Sequence, residues 1–136
     1  MTVVFDTNVW ISAAWSETTF CRALLRFSRN RCQFVASAPL LDELEEKLHT
    51  KLDWLREDAA KGRRIARRFC RMYCPIKLDA PVCCDADDDV VLATAIAAEC
   101  EFIVTGDADL LTLGQFQGIK IVQPAEFAEI IGMPRK

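Results

Sequence analysis

The spacing of hydrophobic positions changes period repeatedly along the chain, and each change marks an element. Residues 2–5 (TVVF) form a short β-branched run that ends on Asp6, the signature of a buried strand, and the apolar stretch after Asn8 suits a helix. Between Thr18 and Arg29, Phe20, Ala23, Leu24 and Phe27 share one face at helical spacing, and CQFVAS then reads as a second strand. Pro39 stands where the first turn of a helix tolerates proline, ahead of LLDELEEKL. Residues 51–73 read as one long helical segment or two shorter ones, with Gly62 as a possible break and Ile65, Phe69, Met72 and Tyr73 as the apolar stripe. Pro75 stops it, IKL is a candidate short strand, and CDADDD leads into VVLATAIAAEC, which is apolar on nearly every side and predicts a central helix. EFIVTGD reads as a strand with its turn, ADLLTL as a short helical turn, IKIV as a strand, and PAEFAEIIG as a helix closed by Gly132.

Strands that alternate with helices imply an α/β fold whose parallel sheet is covered on both faces. At 136 residues and 51% hydrophobic content, the chain has the length of one ordinary domain, taken as residues 1–136, and enough apolar residues for a real core. Its longest nearly apolar run, Val90 to Ala98, is far below the roughly 20 residues that span a bilayer, and no charged n-region precedes it. The expectation is a soluble, unexported, cytoplasmic protein. The 7 cysteines (Cys21, Cys32, Cys70, Cys74, Cys83, Cys84 and Cys100) are odd in number and lie mostly in apolar segments, which favours reduced, buried thiols. No CxxC pair occurs and His49 is the single histidine, so a structural zinc site is not expected. A net charge of −3 argues against gripping nucleic acid over the whole surface, so any such contact must be local.

In an open parallel sheet, ligands bind outside the carboxyl ends of the strands. Asp6 ends one strand and Asp107 follows another, so both should emerge on one edge and converge if their strands are neighbours. Each has a purely structural explanation alone, as a helix cap or a turn residue, although Thr7 and Asn8 could do the capping at the first place. Asp85, Asp87, Asp88 and Asp89 crowd four carboxylates in front of an apolar helix. One is accounted for by N-capping and the helix dipole, worth ~1 kcal/mol. The rest repel and raise one another's pKa unless a cation neutralises them; a solvated acidic loop is the alternative. Glu43 lies in an acidic helix, but Leu40, Leu44 and Lys47 or Leu48 flank it on the helical wheel, so it points toward the covered side.

Carboxylates without histidine or thiolate match hard Mg²⁺ or Mn²⁺. Such an ion can lower the pKa of a bound water and offset charge on a phosphodiester under in-line attack. No Walker loop, GxGxxG or GxSxG accompanies the cluster, so hydrolysis would need water and metal rather than a protein nucleophile. The basic run Lys61, Arg63, Arg64, Arg67, Arg68 and Arg71 places Arg63, Arg67 and Arg71 on one predicted helical face, where arginines could track a phosphate backbone. A solvated face, paired in part with acidic neighbours, is the other reading of that run.

With those residues in place, the chain resembles the PIN-domain family, in particular its bacterial and archaeal toxins of toxin–antitoxin pairs. The resemblance rests on VVFDTNVWIS, APLLDELEEKL, DADDDVVLATA and IVTGDADLL followed by IKIVQPAEF, in that order and spacing. It implies a compact α/β/α sandwich with a central parallel sheet and Mg²⁺- or Mn²⁺-dependent endoribonuclease cleavage of single-stranded RNA. Carried over by position, the family's first acid falls on Asp6, its helix glutamate on Glu43, its third acid on Asp88 or Asp89, and its last on Asp107. Asn8 matches the asparagine that supports the first aspartate, Thr105 a hydroxyl beside the site, and Asp109 a further supporting acid. The resemblance also implies a homodimer and a small antitoxin partner. Two other classes compete: a catalytically silent RNA- or protein-binding module, and a receiver-type phosphoacceptor, for which FDTN and TGDAD supply neither the paired acids nor the late lysine.

Overall fold

The computed structural model describes residues 1–83 and 85–134; Cys84, read above as a reduced thiol, lies outside them. Strand β1 (Thr2–Phe5) leads into α1 (Thr7–Trp15) and α2 (Phe20–Ser28), then β2 (Gln33–Ala36), α3 (Ala38–Leu52), α4 (Arg56–Phe69) and β3 (Cys70–Met72). After a long connection come α5 (Ala86–Ala97), β4 (Phe102–Val104), α6 (Ala108–Leu113), the short β5 (Gln115–Phe116), β6 (Ile119–Val122) and α7 (Pro124–Ile130).

The strands form one six-stranded sheet in the order β3-β2-β1-β4-β6-β5. Every pairing is parallel except that of β5 with β6. The predicted α/β architecture therefore holds, with one antiparallel addition at the edge. In the turn joining β5 to β6, Gln117 and Gly118 both carry positive φ, 49° and 84°. Two adjacent positive-φ residues give the type I′ twist that suits a tight hairpin.

Val3, Val4 and Phe5 are all buried, as a central strand covered on both faces requires. On one face, Phe5 stacks edge-on against Phe34 at 4.9 Å, Phe127 at 5.8 Å and Trp10 at 6.3 Å. Trp10 is thus core, while Trp15 is 69% exposed and Trp54 is partly buried against the core. Helix α5 packs on β1, β2 and β4, which explains why VVLATAIA lacks a polar face.

Three sequence expectations are corrected. The break in residues 51–73 is not at Gly62 but at Asp53, which caps α3 in the left-handed region with φ 56°. Gly62 lies inside α4 because α4 crosses α3 closely there: a Cβ would sit 2.7 Å from Leu48 Cδ1 and 3.2 Å from Trp54 Cζ3. The helix also stops at Phe69, so Met72, Tyr73 and Arg71 do not continue its face; Cys70 and Arg71 pair in parallel with Phe34 and Val35 of β2. Finally, IKL forms no strand, being joined to the fold by an Ile76 amide that donates to Ala93 O at 3.3 Å. The described cysteines are free thiols, and among the described residues no helix is long and apolar enough to cross a membrane.

Candidate active site

Because β1 and β4 are parallel neighbours, their carboxyl ends open on the same edge, and the Asp6 amide donates to Val104 O at 2.9 Å. Asp6 follows β1, Thr105 and Asp107 follow β4, Glu43 projects from α3, and Asp88 lies in the first turn of α5. Asp6 is only 3% exposed, although it is an ionisable residue that precedes a helix. Its carboxylate does not cap α1; Thr105 Oγ1 donates to Asp6 Oδ2 at 2.7 Å and Thr7 Oγ1 lies 3.3 Å from Oδ1. Thr7 and Asn8 make no capping bond either, and among the described residues Asn8 has no hydrogen bond to Asp6, so the two threonines supply the support expected of it.

Thr7 stands between two acids: its hydroxyl donates to Glu43 Oε1 at 2.9 Å, with Asp6 Oδ1 3.3 Å from the same hydroxyl oxygen. Lys47, one turn further along α3, pairs with the same Glu43 oxygen at 2.6 Å and donates to Thr7 Oγ1 at 3.4 Å. On the helical wheel Lys47 is only a neighbour of Glu43. The Glu-to-Lys spacing of i,i+4 was the available signal that it would be a charge partner.

Asp88, Asp107 and Asp109 each offer an oxygen, and these atoms lie within 4.8 Å of one another. Asp107 caps α6, accepting from the Asp109 and Leu110 amides at 2.8 and 3.3 Å through Oδ1. Asp88 is 5% exposed, and its Oδ2 is buried with no hydrogen-bond partner. Asp85, not Asp88, caps α5. Burial, reinforced by Asp107, Asp6, Asp85 and Asp109, pushes the Asp88 carboxyl up to about 7. Burial also raises Asp6, with Glu43 adding to the rise and the Thr105 hydrogen bond, the Thr7 amide and Lys47 opposing it. For Lys47, burial works downward, but the hydrogen bond and charge of Glu43 outweigh it and hold the ammonium above its ordinary range. A divalent cation fits this donor set: an all-oxygen cluster with an orphaned buried carboxylate oxygen is what an oxygen-seeking ion satisfies.

The PIN domain family matches the chain over residues 2–109, a span that holds every one of these side chains. The chain belongs to the PIN-domain family. This is a family of nucleases, and the match ends before β5, β6 and α7. Among solved structures, this PIN domain resembles the crystal structure of VapBC2 from Rickettsia felis bound to a DNA fragment from their promoter. That likeness has a TM-score of 0.63 at 13% identity and covers 90% of this chain and 98% of that one, and it is one of fold. No curated protein matches the sequence.

Two candidate sets are divided by the geometry of the PIN domain. Asp89 turns away from the cluster: its carboxylate accepts from the Cys83 amide at 2.8 Å and the Val82 amide at 3.2 Å, tying the preceding loop to α5. Of the basic run, Arg63 is spent on Asp42 and Glu45 of α3, bracing α4 against it. Arg64, Arg67 and Arg68 are exposed on α4, and Arg71 is exposed on the edge strand β3.

Proposed function

We propose that this PIN domain is a Mg²⁺- or Mn²⁺-dependent endoribonuclease that hydrolyses phosphodiester bonds of single-stranded RNA, and that it is the toxin of a toxin–antitoxin pair. The observation that carries the reading is Asp88: a carboxylate with an unpartnered buried oxygen, beside Asp107 and Asp109, on a PIN-domain scaffold. Asp88, Asp107 and Asp109 would hold the ion, with Asp6 completing the acidic wall and Thr105 and Thr7 fixing its orientation. Asp88, not Asp89, is the third acid on this reading, because Asp89 is committed to the loop. A bound divalent ion would lower the pKa of a water and offset charge on the phosphate.

The chain's own residues do the rest. Asp6, Asp88, Asp107 and Asp109 would repel an anionic backbone until a cation is present, so the site acquires its phosphate only when loaded. Exposed Arg64, Arg67, Arg68 and Arg71 are the proposed phosphate contacts, able to hold a backbone without reading sequence. Asp6, buried and hydrogen-bonded, keeps the edge of β1 rigid against the reacting phosphate. We take the PIN domain to span residues 1–136, since β6 pairs with β4 and Phe127 of α7 stacks on Phe5.

For the antitoxin and for a second copy of the chain, the surface on offer is an apolar hollow of about 380 Å³ between α1–α2 and α3–α4. Leu25, Trp54 and Ile65 line it, with Arg22, Arg26 and Arg29 among its walls. The test of activity is cleavage of an end-labelled, unstructured RNA with Mg²⁺, Mn²⁺ or EDTA. Metal-dependent cutting that Asp6→Asn and Asp88→Asn lose is expected. Cutting at the wild-type rate by either variant would remove the assignment, and metal binding with no cutting of any RNA would leave a silent binding module.

A further inference from the structure

Among the described residues, the ion pair made by the carboxylates of this edge is Lys47 with Glu43. It is not a surface pair. Its side chains are 23% and 11% exposed, and the ammonium also reaches the fully buried Thr7, whose hydroxyl spans Glu43 and Asp6. Glu43 is thereby set apart from Asp88, Asp107 and Asp109, which group without it. A carboxylate edge of this kind commonly takes two divalent ions about 3.5–4 Å apart, one at each end. Here one end already holds a positive charge built into the chain.

We propose that Lys47 occupies the place at Glu43 that a second divalent ion would otherwise take, so that this centre binds one divalent ion, at Asp88, Asp107 and Asp109. The inference rests on the metal-centre reading above and adds the number of ions and the residue that sets it. A second ion at Glu43 would have to compete for the Oε1 that Lys47 already contacts at 2.6 Å, and the resulting neighbourhood of ion and ammonium would be repulsive. An ammonium has three donors. Two go to Glu43 and Thr7, and the third has no protein acceptor among the described residues, which leaves it for a phosphate oxygen. Lys47 is thus a positioning residue for Glu43 and a resident counter-charge for the substrate.

Titration of the full chain with Mn²⁺, followed by the electron paramagnetic resonance signal of the free ion, reads the number of sites directly. Wild type and Lys47→Arg should bind one ion per chain with the spectrum of an isolated ion. Lys47→Met should bind two, with a spectrum broadened by the neighbouring ions, and Lys47→Met combined with Glu43→Gln should return to one. Circular dichroism and thermal melts establish that each variant is folded. Two ions in wild type, or one in folded Lys47→Met, would overturn the role of Lys47 while leaving the metal centre in place. No ion bound by wild type would overturn the metal centre and this inference together.

Discussion

Phe5 and Asp6 are neighbours in sequence and almost equally buried, at 1% and 3% exposure, yet they belong to opposite kinds of region. Phe5 is the hub of an aromatic cluster in which every contact is satisfied by shape. Asp6 opens an edge where two carboxylates, Asp6 and Asp88, are buried beside the half-buried Asp107 and the exposed Asp109, and one buried oxygen, on Asp88, has no hydrogen-bond partner among the described residues. The core region stabilises the fold, and the edge works against it. Buried like charges that lack a cation cost stability, and they persist where another molecule supplies what is missing.

Changes at the two regions should therefore move stability and activity in opposite senses. The largest effect is expected from Asp88→Asn, a loss of RNA cleavage on the order of 10²–10⁴-fold. At pH 8, where the Asp88 carboxyl is ionised, the same variant should melt higher than wild type without metal, since it removes a buried charge; a lower melting temperature there would break the contrast. Phe5→Ala should lose about 3–5 kcal/mol of stability by leaving a cavity among Trp10, Phe34 and Phe127, read from denaturant unfolding. Thr105→Val should keep the fold and lower cleavage about 10–100-fold, as expected for a group that orients a site carboxylate. Asp89→Asn, by contrast, should alter the 82–83 loop and leave cleavage within a few-fold of wild type, because its carboxylate serves backbone amides.

The smallest effect is one of pH. In the folded, metal-free chain the Asp88 carboxyl is raised from 3.8 to about 7, so the folded state holds a proton that the unfolded state has released. This contribution to stability is full below about pH 4 and is lost as pH rises through about 7. The melting temperature of the metal-free protein should fall by a few degrees between pH 5 and pH 8 from this source. Asp88→Asn should flatten that slope, and saturating Mn²⁺ should reverse its sign, since the ion binds the deprotonated form.

Much of the site was legible in the sequence because its residues terminate apolar strands, and parallel pairing brings such ends together. The ends of β1 and β4 meet for that reason, with Thr105 accepting from the Asp107 amide and donating to Asp6, while the oxygens that group closely are those of Asp88, Asp107 and Asp109. What periodicity could not decide was which of Asp88 and Asp89 turns inward, since both fall in the first turn of α5 and only packing against β1 and β4 chooses the face. Lys47 was hidden differently: an i,i+4 pair usually signals a wet helix face, and the burial that makes this one matter is tertiary. In the fold, the elements misjudged were the ones with weak local signals. Strand β5 is two residues long, the run IKL looks like a strand but forms none, and Gly62 suggests a break where a close helix crossing favours a glycine. Arg71 left the helical stripe because the backbone turns extended at Cys70 to join β2.

The claim on which the account stands is that the edge of β1 and β4 is a cation site. Crystals of the wild-type chain soaked in Mn²⁺ and measured at a wavelength where manganese scatters anomalously would locate the ion without reference to any substrate. The account predicts an anomalous peak bounded by Asp88, Asp107 and Asp109, absent from crystals of Asp88→Asn. No peak at those residues in a fully loaded crystal, or a peak that survives the loss of the Asp88 carboxylate, would contradict it.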